Sequence, residues 1–397
     1  MEKSLYLCIM KKIILFILLL WPTTITAQQD KDASKGEESL FEKVTKIEKK
    51  QDYFHLLLNM NNSFDVNQGD GEFQNAKFNM CQLRIEAKGN INETFSFRWR
   101  QRLNRSNSPA HDAIDNLPVT SVDLAYIGIK FNEKLSMSLG KLCAAYGGFE
   151  YDLNPIEIYQ YSDMIDHMYN FYTGASLQFQ INPNHQFQLQ ALDSRSASME
   201  ELYGTGYEQS KVPLVYIVNW NGSFGGVFNT RWSYSLMSQA KGYQSHFIAL
   251  GNELSLDKFN AFFDVMYMRE GIDSEGIVSC IVGNNKLGGH QNDAEYLSFV
   301  MKAQYRFTPQ WNFFVKGMLD NEGLSKSNGA IEKGKYRTAY GYMAGLEYYP
   351  LKNSNLHFFL TYVGRHYSYT DKAKAYGADD YSTNRISLGY IWQLPMF

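Results

Sequence analysis

Three arginines recur at every second residue, Arg98, Arg100 and Arg102, in a segment whose other phase is aromatic: Phe95, Phe97 and Trp99. On an extended strand successive side chains point to opposite faces, so the three guanidinium groups form a ladder on one face. The preceding segment repeats the design, with Arg84, Glu86 and Lys88 alternating with Leu83, Ile85 and Ala87. Guanidinium groups along a wall attract anions and hold them through paired hydrogen bonds. They do not belong in hydrocarbon, where an Arg or Lys on the lipid face near mid-membrane costs roughly 2–4 kcal/mol. The same parity turns Arg231, Lys302, Arg306, Lys316, Arg337, Arg365 and Arg385 away from the apolar face. The acids on that phase are Glu86, Glu253, Asp264, Asp320 and Glu347, so the expected interior is twelve basic against five acidic residues.

A second set of charges sits where alternation stops. Glu150, Asp152, Glu157, Asp163 and Asp166 lie between Tyr146 and Asp166, interleaved with Phe149, Tyr151, Tyr159 and Tyr161. So aromatic a segment gains by packing against a surface, and the inner wall is the nearest one. Carboxylates facing guanidinium groups across a narrow gap would set a transverse field at a constriction. The alternative is a loop that packs outward on a neighbouring subunit. Other chemistry is absent. His111, His167 and His246 occur, with Asp166 beside His167, yet no Ser or Asp motif at hydrolase spacing accompanies them, and the chain is read as a non-enzyme. Cys81, Cys143 and Cys280 have no paired spacing, so no disulfide, metal or cofactor is expected.

The elements that position these residues are strands. From Tyr53 onward, alternating segments occur near 53–66, 76–88, 93–103, 121–131, 135–145, 168–181, 186–194, 211–220, 225–236, 245–256, 259–270, 294–307, 311–321, 337–349, 356–369 and 384–394. In the last, Ile386, Leu388, Tyr390 and Trp392 share one phase, and the chain finishes on Phe397. Connections near 89–92, 132–134, 182–185, 221–224, 257–258, 308–310 and 350–355 are short and rich in turn residues. Those near 67–75, 104–120, 146–167, 195–210, 237–244, 271–293, 322–336 and 370–383 are mostly longer and polar. Short turns on one side, long loops on the other and an even strand count describe an all-β, 16-stranded antiparallel transmembrane β-barrel with short periplasmic turns and long extracellular loops. Trp220, Trp311 and Trp392 near short turns suit an interfacial girdle. Two places resist the pattern: the fourth segment alternates poorly, and Lys141 falls on the lipid phase of the fifth.

Bulk properties agree. Lys11 and Lys12, the apolar run 13–21 and Thr26-Ala27 read as an export signal over residues 1–27, with Met10 an alternative start. Residues 28–52 read as a charged periplasmic leader, in which Leu40, Val44 and Ile47 mark at most a short helix. A net charge of -3 argues against nucleic acid as a partner. The mean hydropathy of -0.37 beside 15% aromatics fits strands that show lipid one face and water the other.

At these residues the chain resembles the phosphate-selective porin O and P family of outer-membrane channels. The resemblance is carried by the export signal, the charged leader, the sixteen-strand pattern, the arginine-bearing second and third strands, and the loop from Gly147-Gly148-Phe149-Glu150 to Tyr159-Gln160-Tyr161-Ser162. It implies a homotrimer of barrels in the outer membrane of a Gram-negative bacterium, in contact with outer-membrane lipid and passing anions along an arginine-rich wall. The acidic third loop and the lack of a dense lysine cluster depart from that pattern, so the likeness supports a porin better than it supports phosphate. The expected function is passive diffusion of small hydrophilic solutes with a modest anion preference. The alternatives are a phosphate- or polyanion-specific channel using Arg98, Arg100 and Arg102 as a relay, and an adhesive or structural barrel with a plugged lumen.

Overall fold

The computed structural model describes residues 54–103, 122–283 and 290–396. The expected signal, leader and alternative start, the second long loop with His111, part of the loop near 271–293 and the terminal Phe397 lie outside the described residues. Sixteen strands form one closed antiparallel barrel. They are β1 His55–Gly69, β2 Glu72–Asn90, β3 Phe95–Arg102, β4 Val122–Lys130, β5 Leu135–Cys143, β6 Phe171–Asn182, β7 His185–Asp193 and β8 Leu214–Phe224. The second half comprises β9 Phe228–Ala240, β10 Tyr243–Ser255, β11 Phe259–Ile272, β12 Asn292–Thr308, β13 Trp311–Leu324, β14 Gly334–Tyr348, β15 His357–Tyr369 and β16 Tyr381–Pro395. Each strand pairs with its sequence neighbours. The seam is β1 on β16, in register from Leu57↔Pro395 to Gly69↔Thr383.

Alternation drives this arrangement. On β10, Ile248, Leu250 and Leu254 are exposed on the outside, while Phe247, Ala249 and Glu253 are buried. On β11, Phe263 is exposed between buried Phe262 and Asp264. The short connections close through their own side chains. The Asn92 Oδ1 accepts from the N–H groups of Thr94 (2.9 Å) and Phe95 (2.8 Å), and Asn132 does the same for Lys134 and Leu135. Such turns satisfy backbone donors locally, which is why Asn recurs there. Trp311 packs at a tilt on Tyr348 with ring centroids 4.7 Å apart, Trp220 meets Trp232 at 5.3 Å, and Trp392 donates to Ser354. These three tryptophans lie at the short-turn end.

Three features differ from the expectation. The connections placed at 67–75 and 237–244 are not long loops. The hairpin β1–β2 turns at Asp70 and Gly71, both with positive φ, and β9–β10 turns at Gly242 (φ 84°). These strands run past the rim, where no apolar face is needed and the alternation fades from the sequence. Phe171, which by strand parity shares the lipid phase of exposed Phe179, is instead buried beneath the guanidinium groups of Arg100 (5.5 Å) and Arg102 (5.9 Å). The irregular fourth strand has a register shift opposite Arg100 and Gln101, which leaves Asp123 as the unpaired extra residue. Beside Lys141, Gly140 adopts φ 133°, and a Cβ there would lie 2.3 Å from the Ala125 carbonyl oxygen. The pleat is therefore distorted immediately before Lys141 without a change of register.

Leu250 sits mid-strand on the outer face. Leu250→Arg is expected to destabilise the protein by about 2–4 kcal/mol when folded into phospholipid vesicles, read by urea titration. A change under 1 kcal/mol would mean this face does not meet hydrocarbon.

Candidate functional site

After β5 the chain turns into the barrel and remains there until β6 begins. The turn is built on Gly147 and Gly148, at φ 75° and 80°. A Cβ on Gly147 would come within 2.7 Å of Ser233 Oγ on β9, so the backbone presses against the wall there. The short helix Phe149–Asp152 follows, and the N–H groups of Phe149 (2.9 Å) and Glu150 (2.7 Å) donate to the Asp264 carboxylate of β11. Around this entry Tyr146, Tyr151, Phe247, Phe262, Met266 and Tyr296 form a buried apolar cluster. Inward positions on β10–β12 are thus apolar where the loop packs, against the rule that the inner face is wet.

Ion pairs fix the rest of the loop. Glu150, fully buried, pairs with Lys316 of β13 and accepts from Ser162 N–H (2.9 Å) and Oγ (2.6 Å), which ties the two limbs of the loop together. Asp152 pairs with Arg231 at 2.6 Å. Asp163 is clasped by Arg337 of β14 (2.5 Å) and by Arg365 of β15, whose other partners are Glu322 (2.8 Å) and Asp320 (3.5 Å) respectively. At the tip, Tyr159 stacks on Phe314 with ring centroids 5.2 Å apart, and its hydroxyl donates to Glu347 (2.8 Å). Backbone carbonyls of the loop accept from Asn61 of β1, Gln82 of β2 and Arg385 of β16. The loop is therefore held on both sides of the seam.

The arginine ladder has a partner the sequence did not reveal. Asp123, wholly buried, meets Arg84 at 3.4 Å, Arg100 at 3.3 Å and Arg102 at 2.8 Å. Arg98 pairs with Glu86 at 2.9 Å. The broken alternation around Val122–Leu124 was the available signal, since a bulge is one way to aim an extra side chain inward. Asp65, Glu270 and Glu322 are further buried strand acids outside the expected set. The expected excess of basic groups is consequently corrected to a largely compensated interior. Lys302 lies over the Phe314 ring at 5.0 Å and Arg306 over Tyr349 at 4.6 Å; neither has a carboxylate within ion-pair distance among the described residues. Of the loop acids, Glu157 and Asp166 have no ion-pair partner among the described residues. Burial raises the Glu157 carboxyl above the usual range, opposed by His357 and Lys302 nearby. His167 bonds the Asp163 carbonyl and His246 the Tyr234 hydroxyl.

Two outcomes follow. Asp163→Ala leaves two buried guanidinium groups without their shared acceptor and is expected to cost about 3–5 kcal/mol in unfolding. It should also raise single-channel conductance by loosening the loop. Asp123→Asn removes the negative charge among three arginines, and the reversal potential in asymmetric salt should move toward anions. An unchanged potential would place those arginines off the ion path.

The structure and sequence can be set beside known proteins. The fold is similar to that of the outer membrane channel DcaP of Acinetobacter baumannii, with a TM-score of 0.59 at 10% identity over 86% of this chain and 96% of that one. It is similar to Salmonella typhi OmpF, solved with daunomycin, with a TM-score of 0.56 at 16% identity over 86% and 97%. For a loop-deletion mutant of OmpT of Vibrio cholerae the TM-score is 0.51 at 10% identity, over 86% and 100%. No curated protein sequence matches the chain. The family described as phosphate-selective porin O and P matches residues 54–394. The chain belongs to that family and is an outer-membrane porin.

Proposed function

We propose that this porin admits small hydrophilic solutes by passive diffusion through a lumen narrowed by its inward loop, with a modest preference for anions. The observation that carries this is the pairing of loop carboxylates with wall cations across the barrel, Glu150 with Lys316 and Asp163 with Arg337 and Arg365. Fixed charges of both signs at a narrow place orient polar solutes without strongly excluding either ion. Asp123 and Glu86 offset half the charge of Arg84, Arg98, Arg100 and Arg102, which keeps the anion preference modest. Lys302 and Arg306 add to it. Arg231 adds little, because Asp152 neutralises it. The chain works as a channel rather than an enzyme, and its outward apolar band suits outer-membrane lipid. A homotrimer is the assembly the family resemblance suggests.

A phosphate- or polyanion-specific channel is the second reading, favoured by Lys302 and Arg306 standing on one strand with no carboxylate within ion-pair distance among the described residues. Planar-bilayer recording with reversal potentials in asymmetric potassium chloride decides between them. The expected result is an ohmic channel with chloride moderately favoured over potassium and little effect of phosphate. Block of chloride current by low phosphate would favour the second reading. No conductance at all would favour a plugged, adhesive barrel.

A further inference from the structure

The inward loop leaves one arc of the wall uncovered, and that arc has its own chemistry. The inward residues of β5–β8 toward the short-turn end are Ser136, Gln178, Gln180, Gln186, Gln188 and Asn221. They stand in register, with Ser136 opposite Gln178, Gln178 opposite Gln188, and Gln180 opposite Gln186, which is opposite Asn221. None is ionisable, and none bonds to residues 144–170 among the described contacts.

Their mutual hydrogen bonds fix their direction. Asn221 Nδ2 donates to Gln186 Oε1 (3.4 Å), Gln186 Nε2 to Gln180 Oε1 (3.2 Å), and Gln180 Nε2 to the Asn182 carbonyl (2.6 Å). Ser136 Oγ donates to Gln178 Oε1 at 2.9 Å, and Gln188 Nε2 to Ser176 Oγ at 2.8 Å. A primary amide carries two donors and an acceptor with two lone pairs, so each group has capacity to spare. Asn221 Oδ1 is buried with no donor. Gln178 Nε2 has no acceptor and Gln188 Oε1 no donor among the described residues, although the two side chains are cross-strand neighbours.

An unfilled donor beside an unfilled acceptor suits a group that both gives and receives a hydrogen bond. A hydroxyl does so. A chloride or phosphate would meet the exposed amide oxygens with its own negative charge, and a metal cation would meet the amide N–H groups. We infer that this amide field is a binding surface for neutral polyhydroxylated solutes, that is, sugars. The inference rests on the channel reading above and names a solute class for it. A solute with ether oxygens in place of hydroxyls is a poor substitute, because it offers no proton to Gln188 Oε1.

The test is ion current through the purified protein in planar bilayers as D-glucose is added, with a glycol capped at both ends as its dimethyl ether (tetraethylene glycol dimethyl ether) as a hydroxyl-free control of similar size. Glucose is expected to reduce the current saturably, and the glycol only in proportion to its concentration. The double variant Gln178→Leu/Gln188→Leu should raise the half-blocking glucose concentration about tenfold, the effect of losing two hydrogen bonds. Its sugar-free conductance should remain, and its heat-modifiable migration on gels should show that the barrel is intact. Gln188→Glu keeps the acceptor and should retain the glucose effect, which holds the test open if the double variant misfolds. A linear glucose response in the unaltered protein, or the same half-blocking concentration in the double variant, overturns the inference while leaving the channel intact. Loss of phosphate block rather than glucose block in the double variant also overturns it. Absence of any conductance in the unaltered protein overturns the channel reading and this inference together.

Discussion

A strand in hydrocarbon must have every backbone N–H and C=O paired, because lipid offers no substitute partner. The seam from Leu57↔Pro395 to Gly69↔Thr383 meets that demand by joining the last strand to the first. Everything else in the molecule depends on this closure. Once the ladder is continuous, side chains have only two destinations, and an apolar residue turned inward must find something to cover it.

The interior is divided on those terms. Phe247, Phe262, Met266 and Tyr296 are apolar and inward, and the loop after β5 covers them. Glu150 and Asp163 then find Lys316, Arg337 and Arg365 on the same half of the wall. Buried ion pairs of this kind add little net stability over an apolar replacement, yet are costly to break. They set where the loop lies more than how firmly the barrel folds. The opposite arc on β5–β8 presents amides and hydroxyls, and the loop leaves its lower part clear.

Period-two patterning made the barrel legible. All sixteen strands could be placed, since lipid on one side and a wet interior on the other impose alternation on nearly every strand. The pattern failed where one of those conditions lapsed. Above the rim, Asn67 to Asn75 needed no apolar face and looked like loop. At Phe171 the strand begins under the loop, so an aromatic is covered by protein rather than lipid. Asp123 escaped because a bulge removes a residue from the count, and its position was written only as a lapse in regularity. The aromatic content of the third loop suggested an inward course but left an outward-packing alternative open. The loop's partners were not legible, because they depend on strands far away in the chain.

Four of the five cations that pair with or donate to the loop, Lys316, Arg337, Arg365 and Arg385, sit one each on the last four strands, with Arg231 on β9, while the loop itself follows β5. A chain emerging from its N-terminus therefore carries an acidic, aromatic segment long before any of these counter-charges exists. Its bonds to that quarter of the wall form only once those strands are in place, so the seating of the loop there is tied to the closure of β16 onto β1.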